Sequence, residues 1–317
     1  MRIVFMGTPD FSVPTLERLL ESRHEVIGVV TQPDKPKGRG KEIAMSPVKE
    51  TALRHKIMVY QPVRAREASF VEEMRALQPD VMVVIAFGQI LSKELLEVPK
   101  YGCVNIHASL LPKYRGAAPI QWAVLNGDAE TGITTMMMDV GMDTGDMLEK
   151  LVVPLEKNET GGSLFDRLSL LGGDLILSTL DKLEAGTLVR IPQNHDEATH
   201  VKKISKSMGD IDWTKDAAAI ERLIRGLNPW PSAFTHWNGK MLKLWEAEVL
   251  PDRAGGDAQK AACGEVLEAA GDALKVQTGD GILKITGLQL EGKKRMDVAA
   301  FLRGYPVQAG SVLERSE

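Results

Sequence analysis

A chain of 317 residues with 44% hydrophobic and 26% charged side chains exceeds the usual single-core domain, so two domains are expected, the larger with a substantial core. A net charge of −4 excludes a protein that coats nucleic acid indiscriminately, and no apolar run reaches the roughly 18 residues a membrane span needs. Two cysteines, Cys103 and Cys263, give neither a disulfide framework nor a metal-ligand spacing, and the apolar start at Met1–Gly7 is too short for a signal segment; a cytoplasmic protein with half-buried or buried thiols, no bound metal and no membrane association is expected.

Arg2–Met6 reads as a strand, broken by Gly7-Thr8-Pro9-Asp10-Phe11 before Ser12 caps a helix with Pro14 in its first turn. A second strand, Val26–Val30, leads into the glycine- and proline-rich basic loop Lys35–Lys41 (KPKGRGK), and Ser46-Pro47 opens the next helix. Met58–Tyr60 is a short strand, Phe70–Leu77 is helical, and Val81–Ala86 (VMVVIA) is continuously apolar, the pattern of a strand buried on both faces. Strand and helix in alternation predict an α/β, Rossmann-like, open and mostly parallel sheet, with ligands beyond the carboxyl ends of its strands. Cys103–Ala108 is a further strand, Ala118–Leu125 a helix, Gly132–Met138 and Leu148–Leu155 strands, and Ser163–Leu183 a long helix weakened by Gly172-Gly173.

From Arg190 to Met208 apolar periodicity fades and His195, His200, Lys202, Lys203 and Lys206 accumulate. The expected division is therefore 1–189, a basic linker at 190–207, and 208–317. Asp216–Leu227 fits an amphipathic helix ended by Asn228-Pro229-Trp230-Pro231. Beyond it, β-like segments at 233–237, 241–249, 264–269, 273–278 and 281–290, separated by pairs such as Asn238-Gly239 and Asp280-Gly281, predict a small antiparallel barrel resembling an oligonucleotide-binding fold. Asp252–Ala261 reads as a mobile insertion, and Trp230, Trp237 and Trp245 as core or interdomain residues.

Chemistry concentrates at Gly102–Pro119 (GCVNIHASLLPKYRGAAP). Asn105 and His107, two apart in a strand, face the same side. A histidine at a strand end is more often a capping or core residue, but an amide beside it and the Leu110-Leu111-Pro112 turn after it favour a site. The loop Asp139–Asp146 (DVGMDTGD) carries three aspartates among glycines. Its spacing lacks the alternating ligands of a calcium loop, and Asp139 and Asp146 suit turn capping. If this loop follows a neighbouring strand, one aspartate reaches His107 across the carboxyl end of the sheet. With no serine or cysteine nucleophile, such a site lets an amine attack a carbonyl carbon directly, Asn105 and His107 donating to the oxyanion and Asp143 assisting the histidine or taking the amine proton through water. Gly7-Thr8-Pro9 is not a dinucleotide fingerprint, which disfavours a nicotinamide dehydrogenase.

The runs NIHASLLPKYRGAAP, DVGMDTGD, GTPDF and NPWP resemble the methionyl-tRNA formyltransferases over essentially the whole chain. The resemblance implies transfer of a formyl group from 10-formyltetrahydrofolate to the α-amine of initiator methionyl-tRNA, by a protein expected to be a monomer. By position it implies Asn105, His107 and Asp143 as catalytic, Ser109, Leu110, Leu111 and Pro112 as the folate-contacting turn, and Phe87, Gly88, Gln89 and Ile90 lining the pterin pocket; Ala108 replaces a glycine common in relatives. Asn-x-His with a downstream aspartate specifies the chemistry rather than the acceptor, so another 10-formyltetrahydrofolate-dependent formyltransferase or hydrolase is the alternative, and an RNA-binding module without catalysis a more distant one. The basic loop is either a solvated segment or a phosphate grip for tRNA, Arg39 entering a groove with Lys35, Lys37 and Lys41 on phosphates, and Lys293-Lys294-Arg295 extending the track.

Overall fold

Apolar runs become the centre of a seven-stranded sheet in the computed structural model, which describes residues 1–37, 42–250 and 261–316. In chain order the first elements are β1 (Arg2–Gly7), α1 (Val13–Leu20), β2 (Glu25–Val30), the hairpin of β3 (Lys35–Lys37) and β4 (Glu42–Ala44), α2 (Pro47–Arg54), β5 (Val59–Tyr60), α3 (Ala68–Ala76), β6 (Val81–Ile85), α4 (Lys93–Leu96), β7 (Cys103–His107) and β8 (Arg115–Gly116). They are followed by α5 (Pro119–Asn126), β9 (Glu130–Met137), β10 (Met147–Pro154), α6 (Gly161–Ala185) and β11 (His200–Val201). The sheet order is β10-β9-β7-β6-β1-β2-β5, with β9 antiparallel to β7 and to β10 and the rest parallel. Every residue of β6 is buried, as its unbroken apolar run requires.

Two local signals act differently from their sequence reading. Ser12 makes no capping bond to its own helix; its backbone is already helical, and its buried hydroxyl donates instead to the Ile85 carbonyl at 2.8 Å. Gly172-Gly173, which ought to weaken α6, sits where α6 meets α1. A Cβ on Gly173 would lie 2.8 Å from Arg18 Cβ, so the glycine permits a close helix approach that offsets its propensity cost. Cys103 is buried, and burial pushes its thiol up to about 12, whereas Cys263 is exposed, against expectation, because it lies in the turn leading into the next strand.

Contacts divide the chain into two units that are not contiguous in sequence: 1–119, 130–154 and 165–201 form the first, and 120–129, 155–164 and 202–317 the second. Within 190–207, read as a linker, β11 pairs in parallel with β8. In the second unit α7 (Ala217–Gly226) starts at Asp216, whose side chain accepts from the Ala219 amide at 2.7 Å. The antiparallel strands β12 (Ala233–Trp237), β13 (Lys240–Leu250), β14 (Val266–Ala270), β15 (Ala273–Gln277), β16 (Ile282–Leu290) and β17 (Met296–Asp297), with α8 (Val298–Gly304), surround a core that includes Trp237, Leu244, Ile285, Phe301 and Leu313. Trp237 is buried there, Trp245 is half-buried with its Nε1–H on Gln289, and Trp230 is exposed. The insertion expected at 252–261 lies, but for its last residue, outside the described residues.

Strand order leaves β12 and β14 as edges, and the chain end closes the gap between them. The Leu313 amide donates to the Gly264 carbonyl and Val266 to Ser311, while His236 and Glu314 exchange both backbone bonds on the other side. This tail satisfies edge groups that would otherwise be open to water. Leu313→Ala is expected to cost about 2–5 kcal/mol of stability in denaturant unfolding, whereas Val312→Ala, at a half-exposed neighbour, changes stability by no more than about 0.5 kcal/mol; equal effects would refute the role given to the tail.

Candidate active site

The site is built at the end of β7, where alternation places Asn105 and His107 on one face. His107 is 7% exposed. Its Nε2 lies 2.9 Å from the Tyr114 carbonyl oxygen, which can only accept, so Nε2 carries a proton and the tautomer is fixed. Nδ1 is left facing Asp143, with Oδ2 at 3.8 Å. That carboxylate oxygen also accepts the Gly116 amide at 2.8 Å. Tyr114 (φ 63°) and Asp143 (φ 54°) both have left-handed backbone, so the two contacts depend on conformations that neighbouring structure has to hold. Among the described residues, no hydrogen bond engages the Asn105 side-chain amide or Asp143 Oδ1, which leaves both available to a substrate.

Asp143 reaches His107 by an unexpected route. The sequence suggests a loop arriving across the carboxyl end of the sheet, but β9 runs antiparallel to β7, and Met137 at its end pairs with Val104. The loop therefore starts level with the beginning of β7 and returns along it by about 10 Å, three strand residues. Its turns are local. Asp139 accepts from the Gly141 amide at 3.0 Å and the Thr144 hydroxyl at 2.6 Å, the capping role expected of it. Gly145 is the closest fit: a Cβ there would stand 1.7 Å from the Met137 carbonyl oxygen.

The turn after β7 is mostly interior. The Ser109 hydroxyl donates to the Lys113 carbonyl at 2.6 Å, Leu111 is fully buried against Met136 and Met147, and Leu110 and Pro112 keep partial exposure. The Thr134 hydroxyl donates to the Ser109 carbonyl at 2.7 Å and accepts the Leu111 amide, pinning the turn to β9. Ser109 is thus committed as a hydroxyl donor to backbone.

Phe87–Ile90 divides similarly. Phe87 belongs to the core, and the Gln89 side chain braces the preceding loop by accepting from the Ala65 amide and donating to the Pro62 carbonyl. Gly88 and the exposed Ile90 border a cavity of about 540 Å³, whose rim also carries Lys35, Arg64 and Arg66. Gln32, which sequence reasoning passed over, fastens this wall: its amide donates to the Phe87 and Gly88 carbonyls at 3.0 and 3.1 Å, and its oxygen accepts from Lys35. Below it the Lys49 ammonium and the Gln61 amide hold the Asp34 carboxyl below the usual carboxylate range. Lys35 is therefore tied to the cavity wall; Arg39 and Lys41 lie outside the described residues, as does the Lys37 side chain.

Asn105, His107 with its tautomer set by Tyr114, and Asp143 converge at the end of an open sheet, with the adjacent serine turned to backbone, an arrangement that presents hydrogen-bond donors and a proton acceptor of the kind a group transferase uses. The chain belongs to the formyl transferase family: the family's pattern matches residues 1–180, and that of its C-terminal domain residues 203–306. It is 58% identical to the methionyl-tRNA formyltransferase of Agathobacter rectalis, over 98% of this chain and 99% of that protein. It is 53% identical to the methionyl-tRNA formyltransferase of Lachnospira eligens, over 99% of each. The fold is shared with WlaRD, a sugar 3N-formyl transferase solved in the presence of dTDP and 5-N-formyl-THF, at a TM-score of 0.67 and 19% identity, covering 93% of this chain and 99% of that one.

Gly145→Ala is expected to lower kcat by about 10²-fold, the effect of an ångström-scale misplacement of a reacting group, because the backbone atom it meets cannot give way; steady-state kinetics with wild-type kcat would show that the loop tolerates the shift.

Proposed function

We propose that this chain transfers the formyl group of 10-formyltetrahydrofolate to the α-amine of methionine esterified to initiator tRNA. The observation that carries this reading is the convergence of Asn105, His107 and Asp143 on one substrate-facing surface, in a chain with whole-length methionyl-tRNA formyltransferase relatives. The cavity beside Gly88 and Ile90 suits the donor: an apolar side chain stands exposed there, and Lys35, Arg64 and Arg66 offer cations to carboxylates at a rim. Leu110 and Pro112 contribute the exposed part of the donor turn.

In the reaction the α-amine adds to the formyl carbon, the bond from that carbon to the donor nitrogen breaks, and the proton shed by the amine ends on the departing donor nitrogen. Asn105 donates its free amide N–H to the oxygen that gains charge. His107 can donate from Nδ1 only as the imidazolium, since Nε2–H is committed to Tyr114, and Asp143 Oδ2 stands 3.8 Å from that nitrogen. Asp143 Oδ1 takes the proton shed by the amine, directly or through water. Each oxyanion donor contributes about 10²–10³-fold in kcat.

The basic loop is assigned to the tRNA: Arg39 reads the acceptor end while Lys35, Lys37 and Lys41 meet phosphates, and the 190–207 stretch and second unit extend the contact. Its supporting observation is that β3 and β4 root the loop just past the end of β2, beside the cavity rim.

With labelled 10-formyltetrahydrofolate and initiator methionyl-tRNA, His107→Asn and Asp143→Asn are expected to lower kcat by about 10²-fold or more while leaving tRNA binding within about twofold; label reaching a sugar-nucleotide amine in preference to methionyl-tRNA would overturn the acceptor. Arg39→Ala is expected to raise KM for methionyl-tRNA by about tenfold, the scale of one lost specific contact, with the folate KM unchanged; an unaltered dependence of rate on tRNA removes the loop from recognition.

A further inference from the structure

Behind the Asp143 loop lies a buried polar clamp that the chemistry above does not use. Gln193 is 6% exposed, and its side-chain Nε2 donates twice, to the Asp143 carbonyl at 2.8 Å and the Gly145 carbonyl at 2.7 Å. Its Oε1 accepts twice from Arg115, from Nε at 3.0 Å and Nη2 at 2.7 Å. Arg115 is 3% exposed, and its guanidinium Nη1 lies 3.2 Å from His195 Nδ1. Among the described residues it forms no ion pair with a carboxylate.

The arrangement leaves the amide one orientation. A guanidinium presents only donors, so the Gln193 oxygen has to face Arg115 and its NH₂ has to face the loop; rotating the amide by half a turn would set N–H against N–H on one side and oxygen against two carbonyls on the other. A buried cation at the oxygen also polarises the amide and strengthens its N–H donors. Both donors grip carbonyls on either side of Thr144, within the turn whose left-handed residue is Asp143 at φ 54°. Arg115 is itself the residue before Gly116, whose amide holds Asp143 Oδ2. One clamp therefore fixes the loop and the amide it meets.

We propose that Gln193, oriented by Arg115, is a positioning residue that holds the Asp143 carboxylate toward His107 for formyl transfer. The proposal rests on the reading of Asp143 as a catalytic group. Gln193 touches neither substrate; it acts through the Asp143 backbone. Because it arises 50 residues after Asp143 in sequence, its segment serves the site from within a stretch of weak periodicity.

The test is Gln193→Glu in the full-length enzyme. Glutamate keeps the acceptor oxygen that takes both Arg115 bonds and adds a charge that pairs with it, while losing both N–H donors and setting a carboxylate oxygen against the loop carbonyls. Expected are a folded protein with a cooperative thermal transition, kcat lower by about 10–10²-fold, and KM for both substrates within about threefold. In an Asp143→Asn background, single-turnover measurement is expected to show no further loss from Gln193→Glu, since the clamp has no carboxylate left to aim. Arg115→Lys, which keeps a cation of donors only at the Gln193 oxygen but replaces the two-pronged guanidinium grip with a single ammonium, is expected to lose kcat in the same direction by a smaller factor. Wild-type kcat in Gln193→Glu alongside a crippled Asp143→Asn overturns the proposal and leaves the catalytic reading standing. Losses that multiply in the double variant, or a rise in KM at unchanged kcat, also overturn it. Wild-type turnover in Asp143→Asn instead overturns the catalytic reading itself.

Discussion

The hydrogen bond from the Gly116 amide to Asp143 Oδ2 is the contact on which the site depends, because it joins two chain segments that the sheet does not bring together by itself. Both segments approach it through left-handed backbone, at Tyr114 and Asp143, and left-handed Ala86 and Ala118 lie in the loops that follow β6 and β8. Such conformations cost about 1 kcal/mol or more each for non-glycine residues and persist only where the surroundings over-determine them. Here the surroundings are visible: the Thr199 hydroxyl accepts the Tyr114 amide at 2.8 Å, the Thr199 carbonyl accepts Arg115, and Gln193 holds the Asp143 turn. The site is thus a surface feature with an interior scaffold.

Sheet topology explains why that scaffold is needed. On the β6 side of β7 the neighbouring strands run parallel and deliver their loops to the catalytic end directly, as in any doubly wound sheet. On the other side β9 is antiparallel and delivers its following loop to the wrong end. A loop that must double back along a strand gains nothing from the ladder and has to be pinned by side chains. Gly145 allows its backbone to pass close to Met137, and Asp139, Thr144 and Gln193 supply the hydrogen bonds. Oligonucleotide-like closure of the second unit follows a comparable logic, with the 311–314 tail rather than a strand bridging the edges.

The sequence made the sheet legible because burial leaves a direct trace: a strand covered on both faces must be apolar at every position, and Val81–Ile85 is. The Asn105–His107 pair was legible for an equally local reason, since strand period alone puts two alternate residues on one face. What escaped was either short or remote. β8 and β11 are two residues each, too brief for any period, and their pairing spans 85 positions from His200 back to Arg115. Gln193 and Arg115 carry no motif; a glutamine and an arginine acquire meaning only when 78 residues of chain fold them together. Ser12 misled because a hydroxyl before a helix satisfies a helix amide or a strand carbonyl equally well, and only the position of β6 decides. Gly172-Gly173 misled because helix propensity counts backbone entropy and not the closeness of a neighbouring helix.

The two oxygens of Asp143 are not equivalent, and their difference bears on the proposed proton transfer. Oδ2 is held by the Gly116 amide and faces His107, whose Nε2–H is engaged by the Tyr114 carbonyl. Oδ1 makes no hydrogen bond among the described residues, and it is the oxygen to which the proposed transfer gives the amine's proton. Protonation at Oδ1 neutralises the carboxylate, but it leaves the Gly116 and His107 contacts in place, so the geometry outlasts the charge. In the proposed transfer that proton passes on to the departing donor nitrogen, which regenerates the carboxylate; the Asp143 side chain retains 17% exposure where the His107 side chain beside it retains 8%.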